Sequence, residues 1–209
     1  MQILQISPSR KPQQVWLKFS DDSLLPLRVD DVVSLKLKKF IDITPEFYHT
    51  ILLASGNYLL IEYCLRQLAI SPKTQKILVQ KLKIYVQRLV YKYKFKQDLL
   101  NQLIDPTINK IISLELLNDQ NYIAYIQRKF SKKSQYEIQI ILSQQGIHTT
   151  LPIDPRQEIN KIKNLIIKKY SKTNLSDYNE KNKLINSLYR RGFAGDYIKI
   201  AIDETQKVG

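Results

Sequence analysis

Residues 116–147 read LLNDQNYIAYIQRKFSKKSQYEIQIILSQQGI. Leu116-Leu117-Asn118-Asp119 opens an aromatic-rich helix, Lys132-Lys133-Ser134 makes a junction, and a second apolar-periodic helix ends in Gly146-Ile147. Asn118-Asp119 reads as a helix cap before Tyr122, because short polar side chains accept the unpaired amides of a first turn. In the second helix Ser134, Ile138, Leu142 and Gly146 step by four, which places them on one face. Gly followed by a large apolar residue suits a helix end where Gly turns left-handed and the apolar side chain folds back.

The same ladder recurs elsewhere. Glu180, Leu184, Leu188 and Gly192-Phe193 step by four, and so do Thr74, Leu78, Leu82 and Val86, although Val86 stands where the others have Gly. Each ladder follows another amphipathic helix, over 46–69, 118–131 and 155–170. Four-residue steps alone occur in any helix. Three ladders with matched preceding helices point to tandem helical modules, units that bury a core by stacking on one another.

Upstream, Thr44-Pro45-Glu46 places a cap before Pro at the first helical position, and a helix follows through Leu53, Leu60, Tyr63, Cys64 and Leu68 to about Ile70. Ser71-Pro72 restarts the chain, and Leu78, Leu82, Val86, Leu89 and Tyr93 form a buried stripe. The run KIYVQRLVYKYKFKQDLLNQLI (83–104) extends that helix toward Leu103, Asp105-Pro106 breaks the chain, and a further helix covers Thr107–Leu117. The first 43 residues differ. VWLKFS alternates like a half-buried strand, Asp21-Asp22-Ser23 turns, and LLPLRV returns with Pro26 confining it to an edge or bulge. Asp30-Asp31 then caps a short helix over VVSLKLKKF. These segments read as a small β-hairpin extension.

Five glycines in 209 residues disfavour a fold of many tight hairpins. The formal charge of +14, from 33 basic and 19 acidic side chains, implies an anionic partner: nucleic acid, an acidic membrane face or an acidic protein surface. A compositional bias toward Lys and Ile would account for the use of Lys, yet it supplies Asn and Glu as well and does not by itself unbalance charge. Cys64 is the one cysteine, so an intrachain disulfide is excluded and a reducing compartment is expected. Its neighbours in LLIEYCLRQL fit a core residue better than a nucleophile. MQILQISPSRK lacks signal-peptide order, and Asn57, Glu62 or a Lys interrupts each apolar run. A cytoplasmic protein without a membrane partner is expected. His49 and His148 stand apart, and no Gly-rich phosphate loop or nucleophile elbow is present. Hence no catalytic residue, metal or cofactor is expected, and no heptad repeat argues for more than a monomer.

The order and spacing of these motifs resemble the RecX family, bacterial modulators of the RecA recombinase. LLNDQNYIAYIQRK is similar to that family's second-module opening and KSQYEIQIILSQQGI to the helix after it. LINSLYRRGFAGDYIKIAI resembles the third-module ending, Arg-Arg-Gly-Phe before a short helix. LLIEYCLRQLAISPKTQKILVQKL resembles the first module and VWLKFSDDSLLPLRVDDVVSLKLKK the N-terminal extension. The resemblance implies an all-α fold of three tandem three-helix modules in an elongated curved array, behind the β-hairpin extension. The corresponding segments are 1–43 for the extension, then modules at 44–115, 116–153 and 154–209. Three departures bear on the curvature: Val86-Gln87 replaces the usual Gly-aromatic end of module one, the run over 83–104 is longer than the family's usual linker, and only HTTLPID (148–154) precedes module three. The function implied is regulation of DNA repair, recombination and the SOS response. The chain would bind the groove of the RecA filament and, most simply, inhibit the recombinase. The residues alone leave a second reading open, a sequence-nonspecific module for single- or double-stranded DNA with no recombinase partner.

Candidate contacts follow the charge. Residues 63–97 hold nine basic residues and no acid. On a continuous helix Lys81, Tyr85, Arg88, Lys92 and Lys96 share one face, where like charges repel by a few tenths of a kcal/mol per pair. Such a face suits phosphates or acidic side chains, with Tyr91, Tyr93 or Phe95 available to stack. The alternative is a solvated face with its aromatics in the core. Further clusters are Arg128, Lys129, Lys132 and Lys133, then Lys161, Lys163, Lys168 and Lys169, then Arg190-Arg191 beside Gly192. Arg190 and Arg191 rank first because they fall on the family's motif; their structural alternative is stabilisation of a helix carbonyl end. The binding set is therefore Arg190, Arg191, Arg128, Lys132, Lys133, Lys168, Lys169, Lys81, Arg88 and Lys92.

Overall fold

The structure, a computed structural model, describes residues 1–171 and 173–206. The chain divides into two units, Met1–Asn118 and Asp119–Gly209. It is mostly helical, with one antiparallel sheet at the N-terminus.

In the N-terminal unit the expected hairpin is present. β2 (Gln14–Phe19) pairs antiparallel with β3 (Leu24–Arg28), and Trp16 lies opposite Pro26. The turn is held by Asp21, whose carboxylate accepts from the Ser23 hydroxyl at 2.6 Å and the Ser23 amide at 3.1 Å. A third strand, β1 (Ile3–Pro8), adds to the other side of β2, giving the order β1-β2-β3. The hairpin reading missed it because the β1 register shifts between Ile3 and Gln5, and a bulge breaks the alternation that marks a strand. Pro26 sits on edge strand β3, where its missing N–H costs no ladder bond.

One face of the sheet buries Ile3, Leu17, Phe19, Leu25 and Leu27 in a core shared with the helices. α1 (Val29–Ser34) is shorter than the sequence suggests, and Asp30 and Asp31 occupy its first turn instead of its cap. Lys36, at φ 52°, lies in the left-handed region just beyond it. α2 (Pro45–Ile70) begins as expected, with the Thr44 hydroxyl accepting from the Phe47 amide at 3.2 Å. Gly56 lies inside α2, where a Cβ would stand 2.9 Å from both Leu100 and Leu103; the bare backbone is what lets those leucines approach. α3 (Gln75–Tyr93) is capped by Thr74 and buries Leu78, Leu82, Val86 and Leu89.

α3 does not run on to Leu103. It stops at Lys94, which adopts φ 56°, and Phe95 enters the core. α4 (Gln97–Asn101) and α5 (Ile104–Ser113) follow. Pro106 breaks nothing, because it falls in the first turn of α5, where an amide has no intrahelical partner to lose.

The C-terminal unit contains α6 (Asp119–Lys129), α7 (Gln135–Gln144), α8 (Pro155–Lys169), α9 (Tyr178–Tyr189) and α10 (Gly195–Gln206). Asp154 caps α8 by accepting from the Arg156 and Gln157 amides at 2.9 and 3.4 Å. Ile162, Ile166, Leu184, Leu188, Phe193, Ile198, Ala201 and Ile202 form the core of α8 to α10. Both Gly-apolar ends close as expected. Ile147 and Gly146 donate to the Leu142 and Ser143 carbonyls, while Phe193 and Gly192 donate to those of Leu188 and Tyr189. This is the paired bonding of a left-handed helix end, with Gly146 at φ 87° and Gly192 at φ 77°. Among the described residues no helix is long and apolar enough to cross a membrane.

Candidate functional site

The C-terminal unit brings together three basic segments that lie far apart in sequence. Ser134 is the reason. Its hydroxyl accepts from the Glu137 amide at 3.2 Å, capping α7, and donates to the Arg191 carbonyl at 2.6 Å. The turn that carries Lys132 and Lys133 is thereby fastened to the end of α9. The Arg191 guanidinium carbon lies 5.8 Å from the centre of the Tyr170 ring, and the Tyr170 hydroxyl is 2.7 Å from that of Ser187 on α9. Tyr170 follows Lys168 and Lys169 at the end of α8. The segments that carry Lys132-Lys133, Lys168-Lys169 and Arg190-Arg191 thus come together at Arg191.

Helix ends make this concentration of charge tolerable. Arg128 and Lys129 lie in the last turn of α6 and Lys168 and Lys169 in that of α8, while Arg190 is the C-cap of α9. Exposed carbonyls there carry partial negative charge that favours cations by about 0.3–1 kcal/mol each. Besides Arg191, two of the clustered groups are engaged: Lys133 ion-pairs with Glu137, and the Arg190 Nε donates to the Asn186 carbonyl at 3.3 Å. Lys132, Lys168, Lys169 and Arg190 are all exposed.

Arg128 has a different setting. It lines a cavity of about 600 Å³ with Gln127, Gln135, Asp154 and Lys161. Beside it is Glu158, only 4% exposed, which the sequence reading passed over. One Glu158 oxygen accepts from Lys161 Nζ at 2.7 Å and the other from the Gln135 amide at 3.3 Å, tying the first turn of α7 to α8. Its three-residue spacing from Lys161 is the one sequence signal that could have found it. Lys163 ion-pairs with Glu204 of α10. Lys161 and Lys163 are therefore structural groups.

In the N-terminal unit the basic face of α3 is real but shorter than the sequence implies. Arg88 and Lys92 are exposed and Lys81 half-buried, while Lys96 has left the helix to precede α4. The candidate aromatics separate. Tyr93 and Phe95 pack into the core, with Tyr93 6.4 Å from the Trp16 ring, and Tyr91 stands 92% exposed. Tyr85 stacks on Tyr63 at 4.1 Å, nearly parallel. Cys64 is fully buried, and burial pushes its thiol up to about 12; a thiol so held is not a nucleophile near neutral pH. Among the described residues no group of His, Cys, Asp and Glu could hold a metal ion.

Ser134→Ala would remove the α7 cap and leave the Arg191 carbonyl without its donor. The expected loss is about 2 kcal/mol, read as a lower urea midpoint for the C-terminal unit. An unchanged midpoint would mean that the Ser134–Arg191 bond contributes nothing.

Residues 156–202, which span α8 to α10, match the family model described as RecX, third three-helix domain. A crystal structure of a regulatory protein RecX superposes with a TM-score of 0.64 at 16% identity, covering 97% of this chain and 98% of that one. No curated protein sequence matches the chain. The sequence match covers the last three helices, and the likeness of fold covers nearly the full length.

Proposed function

We propose that this chain is a non-enzymatic regulator that binds the RecA filament and inhibits the recombinase. It would act as a monomer built from three tandem three-helix modules, 44–115, 116–153 and 154–209, arranged as a curved array. The observation that carries the reading is the meeting of three basic segments around Arg191, on the unit that also matches the family in sequence. Such a surface suits acidic side chains lining a filament groove. Several modest ionic contacts on one chain add through effective concentration. Thr74 and Ser134 support the module reading, since both start their ladders as buried caps accepting from the amide three residues on.

The test is single-stranded-DNA-dependent ATP hydrolysis by the cognate RecA, titrated with this protein at two salt concentrations and with excess DNA. Inhibition at substoichiometric protein that survives excess DNA is expected. Arg190→Ala with Arg191→Ala should raise the half-inhibitory concentration about tenfold, the scale of an arginine anchor. The pair is suited to the purpose because the Ser134 bond goes to the backbone of residue 191 and is kept. Inhibition that vanishes with excess DNA would reduce the protein to a competitor for phosphates. An unchanged titration with the double variant would remove both arginines from the interface.

A further inference from the structure

We propose that the outer face of α3 is a binding ridge for single-stranded nucleic acid, with Tyr91 stacking on a base and Lys81, Arg88 and Lys92 contacting phosphates. Lys81, Ile84, Arg88 and Tyr91 are spaced by three, four and three residues, so they share one face, and Lys92 lies one turn beyond Arg88. At 1.5 Å per residue the stretch from Lys81 to Lys92 covers about 16 Å. Ile84 is 59% exposed, and Tyr91 is the most exposed of the chain's large apolar side chains among the described residues.

Three observations point to nucleic acid in preference to an acidic protein. First, α3 contains no acidic residue. Among the described residues, none of Lys81, Arg88 and Lys92 takes part in an ion pair. Interspersed signs are what an ordinary solvated helix shows; an all-positive face raises the repulsion within the helix and matches a polyanion. Second, two of the three cations are lysines, which protein interfaces disfavour and phosphate contacts use freely. Third, the lone ring is free of the fold. Its neighbours Tyr93 and Phe95 bury themselves in the core, while Tyr91 presents an unoccupied π-face among cations, the combination that binds single strands without sequence preference. Paired bases hide their faces inside the stack, so the ring can discriminate single strand from duplex, whereas the cations cannot.

This ridge would bind with or without a recombinase, so its test leaves RecA out. Anisotropy of a labelled oligothymidine, and of a labelled duplex, is titrated with the full chain and its variants over a range of salt. Tyr91→Ala should weaken single-strand binding about tenfold and leave the duplex unchanged, and Tyr91→Phe should restore it. Arg88→Gln with Lys92→Gln should flatten the log–log salt dependence by about 1.4, roughly 0.7 for each lost phosphate contact. These side chains are exposed, so thermal melting of the variants should match the parent. Single-strand binding that Tyr91→Ala leaves untouched would overturn the stacking role. No oligonucleotide binding, with capture of polyglutamate in its place, would give the ridge to an acidic protein and overturn the proposal as a whole.

Discussion

Gly192→Ala should destabilise the C-terminal unit by about 3 kcal/mol, which urea unfolding followed by circular dichroism would show as a clear drop in midpoint. Two costs combine. The residue sits at φ 77°, where any side chain is strained by roughly 1 kcal/mol. An added Cβ would also lie 2.8 Å from Tyr136 Cδ1 and 2.9 Å from Ser134 Oγ. The second contact matters more, because Ser134 already donates to Arg191 and caps α7, so it cannot move aside without losing one bond or both. Arg190→Ala, two positions earlier and exposed, should stay within about 0.5 kcal/mol. Equal midpoints for the two variants would show that the joint tolerates a methyl group and that Gly192 is there only for its turn.

Leu82→Ala is expected to cost the N-terminal unit about 3 kcal/mol. Leu82 is fully buried on the inner stripe of α3 with Leu78 and Val86, and truncation leaves a cavity in the core where α3 packs on α2, α4 and α5. Ile84→Ala, two residues on and mostly exposed, serves as the control, with an expected change below about 0.5 kcal/mol. If Ile84 proves the costlier truncation, α3 is rotated from the orientation described and its basic ridge faces inward.

Much of the fold was legible in residues that announce themselves. Thr44-Pro45 marks a helix start because cap chemistry is local, and Gly146-Ile147 and Gly192-Phe193 mark helix ends for the same reason. The misses share a cause. Lys94 ends α3 in a left-handed conformation with no glycine to advertise it, while Phe95, Leu99 and Leu100 continue the helical spacing across the break. The register shift in β1 similarly erased a period-two signal. At the candidate site the sequence supplied the charged residues but not their company. That the segments of Lys132, Lys168 and Arg190 come together rests on a hydroxyl–carbonyl bond between residues 57 apart and on the Arg191–Tyr170 contact, which no local pattern encodes. Burial likewise decided which of Tyr91, Tyr93 and Phe95 is free to act.

The sheet is a meander, β1-β2-β3, in which each strand pairs with its neighbour in sequence, and in the last three helices α9 and α8 both pack on α10. Connections this local close at small entropic cost, so the chain should fold on the order of milliseconds or faster, and its rate should depend little on the order in which elements form. One longer closure joins Gln2 to Asp42 across 40 residues. A nascent chain leaving the ribosome meets that requirement early, since both ends of the loop emerge before any part of α2.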